Sequence, residues 1–312
     1  MIGSMLRIVT RESPLALWQA RFVRGRLQDT HPGLDVDITT LKTVADRFQQ
    51  KSLAQMGGKG MFVKELEQAL LNGTADLAVH SMKDVTVDLP AGLSITAVMQ
   101  REDPRDVLVS SRYSSLAGLP AGAVVGTSSL RRQCQLNAAW PGLVLKDIRG
   151  NVGSRLKKLD GGAYDALVLA AAGIKRLGRE DRISLYLGVD EMLPAIGQGA
   201  LGIETRTDDA RVWPLVLPLN HEPTRTCVDA ERALSRRLYG GCLLPVAAYA
   251  ETSGADLSMS ALVGYPDGSR VVKDSISGAA DQGERLGAEL GERLLQQGAQ
   301  EILAEVMGNA EQ

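Results

Sequence analysis

Cysteine, histidine and aromatic residues are all scarce in this sequence. Cys134, Cys227 and Cys242 are an odd number at spacings that fit neither a zinc site nor a disulfide framework, which suits a reducing compartment. With only His31, His80 and His221, neither a histidine-rich metal site nor any other metal is expected. No apolar run reaches the ~18 residues of a membrane span. The first residues, Met1-Ile-Gly-Ser-Met-Leu-Arg7, lack a basic segment followed by an apolar stretch and a small-residue cleavage site. A cytoplasmic location without membrane attachment is therefore expected. What remains, 44% hydrophobic and 23% charged over 312 residues, is a globular composition with room for two or three domains and a cleft.

The small net charge of -2 hides an uneven distribution. Residues 131–179 hold ten Lys/Arg against three Asp/Glu, whereas 251–312 hold four against eleven. A basic stretch attracts nucleic acid or a small polyanion; a pI near 6.0 with 4% aromatics favours the small ligand.

Hydrophobic patterning alternates strand and helix through most of the chain. Leu6–Thr10 reads as a buried strand, and Ser13 as the N-cap of a helix with Pro14 at its first position. Strands follow at 34–40 and 75–80, with a helix at 61–71 between them. Further strands are expected at 107–110, 123–127, 143–148 and 166–170, interleaved with helices near 128–139, 151–159 and 171–177. This is a parallel-type α/β pattern. From about 218 it changes to a helix at 231–238, strands at 245–251, 257–263 and 270–277, and a helix over 281–307, an α+β unit with Asp267-Gly268 as a hairpin turn.

Several motifs carry possible chemistry. Gly197-Gln-Gly199-Ala-Leu-Gly202 fits the dinucleotide pattern but lacks its strand, helix and later acidic residue. Gly57-Gly-Lys59-Gly60 is no Walker loop; it reads as a mobile loop or as a lid over an anion. Arg131, Arg132, Arg149, Arg155 and Arg176 fall at the ends of successive βα elements, where such sheets bind ligands and where guanidinium forks grip carboxylates. Solvated helix faces are the competing reading. Lys83-Asp84 offers an ammonium beside a carboxylate, for acid–base work or as a salt-bridged loop. Cys242, after Gly240-Gly241, lies on a loop open to electrophiles, whereas Cys134 and Cys227 read as packed.

Taken in order, Thr10-Arg11-Glu-Ser13, Gly57-Gly-Lys-Gly60, His80-Ser-Met-Lys-Asp84, Arg101-Glu-Asp-Pro-Arg-Asp106, Gly126-Thr-Ser-Ser-Leu-Arg-Arg132, Arg149-Gly-Asn-Val152, Gly197-Gln-Gly199 and Gly240-Gly-Cys242 closely resemble the porphobilinogen deaminase (hydroxymethylbilane synthase) family over essentially the whole chain. The resemblance implies an α/β fold of three domains, two lobes like type II periplasmic binding proteins and a smaller α+β C-terminal domain. In this sequence these would be 1–99 with 200–217, then 100–199, then 218–312. It implies a transferase of tetrapyrrole biosynthesis that joins four porphobilinogen units head to tail on a dipyrromethane primer, releasing ammonia and then hydroxymethylbilane.

By the same resemblance the primer is a cofactor held by a thioether to Cys242. Asp84 and Lys83 would be catalytic. Ser81, Lys83, Asp84, Thr127, Ser129, Arg131, Arg132, Arg149, Gly150 and Arg155 would bind the cofactor. Arg11, Ser13, Arg149, Arg155 and Arg176 would bind substrate carboxylates, and Lys59 and Phe62 would belong to a lid. A monomer with porphobilinogen as its partner, and no nucleic acid, is implied. The sequence departs from the family pattern at Ala45, Gln55, Thr86, Cys227 and Leu243, none of them a proposed catalytic group. The alternative is a two-lobed solute-binding protein for a small polycarboxylate, which would bind without releasing ammonia.

Overall fold

The computed structural model describes residues 5–42, 63–238 and 244–310. In the first sheet the alternating apolar strands β1 (Leu6–Arg11) and β2 (Val36–Leu41) pair in parallel, joined by α1 (Pro14–Thr30). Ser13 caps α1 as expected, its Oγ accepting from the Ala16 amide at 3.2 Å. Helix α2 (Lys64–Leu71) leads to β3 (Leu77–Ser81), also parallel to β1; a 3₁₀ turn, Met82–Asp84, follows directly, and then β4 (Leu93–Val98).

The chain then crosses into a second sheet. It comprises β5 (Asp106–Val109), β6 (Val124–Gly126), β7 (Val144–Lys146), β8 (Ala166–Ala170) and the short β9 (Leu185–Tyr186), in the order β7-β6-β8-β5-β9. Helices α3 (Leu130–Ala139), α4 (Val152–Asp160) and α5 (Ala171–Arg176) connect them. The chain returns through Gly197–Gly199 to β10 (Leu201–Arg206), which enters the first sheet between β3 and β4, giving the order β2-β1-β3-β10-β4.

Two strands correct the parallel-type expectation. β10 is antiparallel to β3 and β4, and β5 is antiparallel to β8 and β9. Both of these sheets are mixed, because the strand that crosses from one lobe to the other runs opposite to the βα units of the sheet it joins. β4, β9 and β10 were not foreseen in the sequence.

After the short α6 (Trp213–Val216), α7 (Glu222–Arg237) packs on an antiparallel meander of β11 (Val246–Ser253), β12 (Asp256–Gly264) and β13 (Val271–Ala279). α7 begins nine positions before the expected 231, with Pro223 in its first turn and the His221 side chain accepting from the Thr224 amide. The expected single helix over 281–307 is two helices, α8 (Gly283–Leu294) and α9 (Gln300–Ala310). The break falls at Gly298, whose φ of 102° suits glycine and where a Cβ would collide with the Arg270 guanidinium. Of the face expected from the apolar spacing, Leu286, Leu290, Leu294 and Ile302 are buried and Val306 is half-buried against the same core. Separate cores form around Leu6, Ile8 and Ile203, around Leu108, Val125 and Val168, and around Leu234, Leu257 and Leu290.

Candidate functional site

The carboxyl ends of β1 and β3 bring the sequence-expected residues of the first lobe together. Thr10, Arg11, Ser13, Gln19, Ser81 and Asp84 line one cleft, with the Gln19 amide donating to Ser81 Oγ at 2.8 Å. The 3₁₀ turn after β3 carries Lys83 and Asp84 at its end, closed by the Val85 amide on the Met82 carbonyl at 3.2 Å. A second groove, between the N-terminal ends of α7 and α8 and lined by Glu222, Arg225, Asp229, Asp281 and Glu284, lies away from these residues.

In the second lobe the parallel strands β6, β7 and β8 point their carboxyl ends the same way. Thr127 to Ser129 follow β6, Arg149 and Gly150 follow β7, and Arg176 closes α5 after β8. Ser129 occupies the N-cap of α3 without its hydroxyl capping the helix, while its amide donates to Thr127 Oγ1 at 3.2 Å. Ser128 joins two segments instead, donating to the Ile148 carbonyl at 2.8 Å and accepting from its amide at 3.0 Å. Gly150 has a φ of 104°, and a Cβ there would lie 2.9 Å from Ser154 Cβ.

The arginines are not solvated helix faces. Arg131 and Arg132 are buried and share Asp106, each donating an Nη2 to one of its carboxylate oxygens at 2.7 Å. Their Nη1 groups donate to the carbonyls of Leu193 and Val168, at 2.6 and 2.9 Å, and both Nε atoms are buried with no hydrogen-bond partner. Asp106 is fully buried; despite that, the two guanidiniums hold its carboxyl well below the usual carboxylate range. One carboxylate thus fixes two cations and leaves the cluster positive.

Arg155 donates Nε to the Gly150 carbonyl at 2.8 Å. Burial foremost, with Arg132 and Arg149 reinforcing and Asp84 opposing, lowers its pKa to about 10. Asp84 of the first lobe is therefore within electrostatic reach of the second lobe's basic cluster. Burial also pushes the Lys83 ammonium down to about 8, with Asp84 and Asp106 opposing and Arg131 and Arg132 reinforcing. Arg149 lies 3.6 Å from Asp147. Arg176 sits elsewhere, at the junction of the lobes: its Nη2 donates to the Gly199 carbonyl at 2.6 Å, its guanidinium carbon lies 5.8 Å from the Trp18 ring centre, and burial lowers its pKa to about 10.

Residues that the sequence reading passed over hold this arrangement. Gln198, almost fully buried, donates to Asp106 at 2.9 Å and to the Pro104 carbonyl at 2.7 Å, and faces Lys83 Nζ at 3.5 Å. Gly197 and Gly199, at φ of 69° and 90°, let this crossing pass close to Met82 and Glu102. Its Gly-x-Gly pattern is thus a close-packed crossing and has no strand-to-helix turn for a nucleotide. A lone Gln between two glycines carries no sequence signal for that role; only the return of the chain brings it between Lys83 and Asp106. His80 is buried with its Nε2 2.9 Å from Glu204 Oε2. Cys134 and Cys227 are buried, as expected; burial raises the Cys134 thiol to about 11 and raises that of Cys227. Cys242, Lys59 and Phe62, and the departures at Ala45, Gln55 and Leu243, lie outside the described residues. No group of three or more His, Cys, Asp or Glu able to hold a metal occurs among the described residues.

Fold and cleft define a two-lobed α/β protein with a basic cluster, suited to a small polyanion, and a third α+β unit. The family model described as porphobilinogen deaminase, dipyrromethane cofactor-binding domain matches residues 6–213, and that of the porphobilinogen deaminase C-terminal domain matches residues 225–296. The chain belongs to the porphobilinogen deaminase family, whose members are transferases of tetrapyrrole biosynthesis.

Solved structures of similar shape include a putative methionine-binding lipoprotein from Bacillus subtilis, 12% identical, covering 70% of this chain and 92% of that one at a TM-score of 0.45. Another is a periplasmic substrate-binding protein of an ABC transporter from Coxiella burnetii, 16% identical, covering 69% and 92% at 0.44. A third is the periplasmic VFT2 domain of BvgS from Bordetella pertussis, 17% identical, covering 68% and 85% at 0.42. No helix among the described residues is long and apolar enough to cross a membrane.

The donor set fits a dipyrromethane bearing several carboxylates. The basic groups gathered here outnumber Asp84 and Asp106, the Nε atoms of Arg131 and Arg132 are buried without partners, and the mutual repulsion of Arg132, Arg149 and Arg155 is relieved by added negative charge.

Proposed function

We propose that this protein is a porphobilinogen deaminase acting as a monomer in the cytoplasm. It condenses four porphobilinogen molecules head to tail onto a dipyrromethane held by Cys242, releases ammonia at each addition, and finally hydrolyses off hydroxymethylbilane. The observation that carries this reading is the carboxylate of Asp84 on a tight turn of the first lobe, within electrostatic reach of Arg155 and the basic groups around it.

When bound, the dipyrromethane supplies a fixed pyrrole chain end for extension. Ser81, Lys83, Asp84, Thr127, Ser129, Arg131, Arg132, Arg149, Gly150 and Arg155 would hold it, and Arg11, Ser13, Arg149, Arg155 and Arg176 would orient the carboxylates of each substrate. Asp84 would accept the pyrrole N–H of the substrate and stabilise the positive charge that develops on that ring as ammonia leaves. A carboxylate already oriented at that point lowers the barrier without reorganising. Lys83, with its proton affinity reduced to about 8, would hold a carboxylate beside Asp84 or move a proton there near neutral pH. Lys59 and Phe62 would cover the cleft.

A solute-binding protein is the rival, and the match of the C-terminal domain model to residues 225–296 favours the enzyme. Intact mass under denaturing conditions, with a peptide map, tests the reading. A two-pyrrole adduct on Cys242 and ammonia released from porphobilinogen are expected. A chain that gains no pyrroles on incubation with porphobilinogen and releases no ammonia would overturn it.

A further inference from the structure

The turn that presents Asp84 is held from two sides. Ahead of it, the Met82 amide donates to the Ala200 carbonyl at 3.0 Å, and Gly197 packs closely enough that a Cβ there would lie 2.8 Å from Met82 Cβ. Behind it, the backbone passes Val85 and reaches Thr86 and Val87. Here a side chain from the third unit intervenes: Arg232, on α7 and only 8% exposed, donates Nη2 to both the Thr86 and the Val87 carbonyls at 2.9 Å.

Those two carbonyls belong to consecutive peptide planes, and a third plane, at Val85, is fixed by its amide on Met82. Fixing peptide planes removes the two soft dihedrals through which a loop otherwise wanders. The Thr86 hydroxyl adds a bond to the Asp88 carbonyl at 2.8 Å, so the segment after Asp84 is locked locally and from outside. Desolvating a guanidinium is costly; Asp229, Asp88 and Glu204 offset part of that cost and Arg236 adds to it. A buried cation directed at main-chain carbonyls is therefore costly to keep unless the backbone it grips has to be exact.

We infer that Arg232 is a positioning residue for Asp84: through the Thr86 and Val87 carbonyls it fixes the turn that aims the carboxylate at substrate. The inference rests on the reading of Asp84 given above. A reacting group displaced by about 1 Å loses on the order of a hundredfold in rate, so the grip acts on turnover more than on binding.

The test compares the parent protein with Arg232→Gln, Arg232→Lys and Arg225→Gln. Arg225 supplies the control, since it also ties α7 to the first lobe, donating Nη1 to the Thr96 carbonyl at 3.1 Å in β4. Amide exchange by mass spectrometry reads the turn directly, and steady-state kinetics with porphobilinogen reads its consequence. For Arg232→Gln, exchange across residues 82–88 should accelerate while the rest of the first lobe keeps its protection. Its kcat should fall on the order of tenfold or more with KM within about twofold. Arg232→Lys, a point charge able to hold one carbonyl, should recover part of both effects. Arg225→Gln should leave 82–88 protected and kcat within about twofold.

Unchanged exchange at 82–88 in Arg232→Gln would overturn the inference. So would equal losses of kcat in Arg232→Gln and Arg225→Gln that track their melting temperatures, since that result describes interdomain adhesion alone. Should the parent itself release no ammonia, the proposed function fails instead, and the exchange data still decide whether Arg232 holds the turn.

Discussion

Glu231 of α7 grips Arg101 with both carboxylate oxygens, at 2.8 Å each, and with no solvent exposure of its own. The same carboxylate accepts the Gly197 amide at 2.7 Å and the Ala250 amide at 2.9 Å. Arg101 lies on the outgoing crossing between the lobes, Gly197 on the returning one, and Ala250 on the third sheet. One side chain thus ties both crossings to the third unit.

Removing one partner of this pair should be far worse than losing a surface ion pair. Arg101→Leu leaves Glu231 buried and uncompensated, and a loss of about 3–5 kcal/mol is expected. Urea unfolding followed by circular dichroism measures it. A loss under about 1 kcal/mol, the range of exposed pairs, would mean that the crossings do not depend on this contact.

Asp106 should act as the acid-sensitive clamp of the second lobe. Its carboxyl is held below the ordinary 3.8, so it contributes stability that is present above that value and lost as pH falls toward its folded-state value. Asp106→Asn should destabilise by about 3–5 kcal/mol at pH 7 by leaving two buried guanidiniums unneutralised, and should flatten the acid limb below pH 3.8. Unfolding midpoints from pH 7 down to pH 3 report both effects. An unchanged acid limb would assign acid sensitivity to other carboxylates.

Lys83 gives a pH dependence of the same direction in a higher window. Its folded-state pKa of about 8 lies below the ordinary 10.5, so burying it as a cation opposes folding below pH 8, and that opposition fades as pH rises through about 8 to 10.5. If the ammonium is needed for turnover, kcat/KM should fall as pH rises through about 8, and Lys83→Arg should move that limb upward. A flat profile between pH 7 and 9.5 would detach Lys83 from the reaction.

Asp84→Ala should leave the fold intact, because Asp84 lies at the end of a turn closed by backbone. Ammonia release should fall about 10²–10³-fold, the usual effect of deleting a preorganised charge. Arg149→Leu should slow primer assembly or elongation without that loss of chemistry at the first addition. Rapid-quench assays of ammonia and chain length separate the two. Near-normal release by Asp84→Ala would remove it from the mechanism.

Part of this architecture is declared by local signals in the sequence. Ser13-Pro14 announces a helix start, and Asp267-Gly268 turns as a hairpin, its Gly268 at a φ of 74°. Leu286, Leu290, Leu294 and Ile302 declare a buried face by spacing alone, although Gly298 divides the helix that bears it. The order of motifs was enough for the family and for nominating Asp84, Lys83 and the arginines. Periodicity could not reveal that β5 and β10 run against their neighbours, because strand direction is set by where a crossing segment enters a sheet.

The deepest contacts were illegible for a related reason. Glu231 and Arg101 are 130 positions apart, Arg232 and Thr86 are 146 apart, and Gln198 and Asp106 are 92 apart. In the sequence each reads as an ordinary charged or polar residue with no neighbour to explain it. Most of the secondary structure and the basic character of the middle of the chain follow from local composition and spacing, whose energetics act over a few residues. The fixing of two arginines by one aspartate, the bridge of Gln198 and the grip of α7 on the turn after Asp84 exist only after the crossings bring distant segments together. Burial then makes an uncompensated charge so costly that each of these groups must find its partner across the fold.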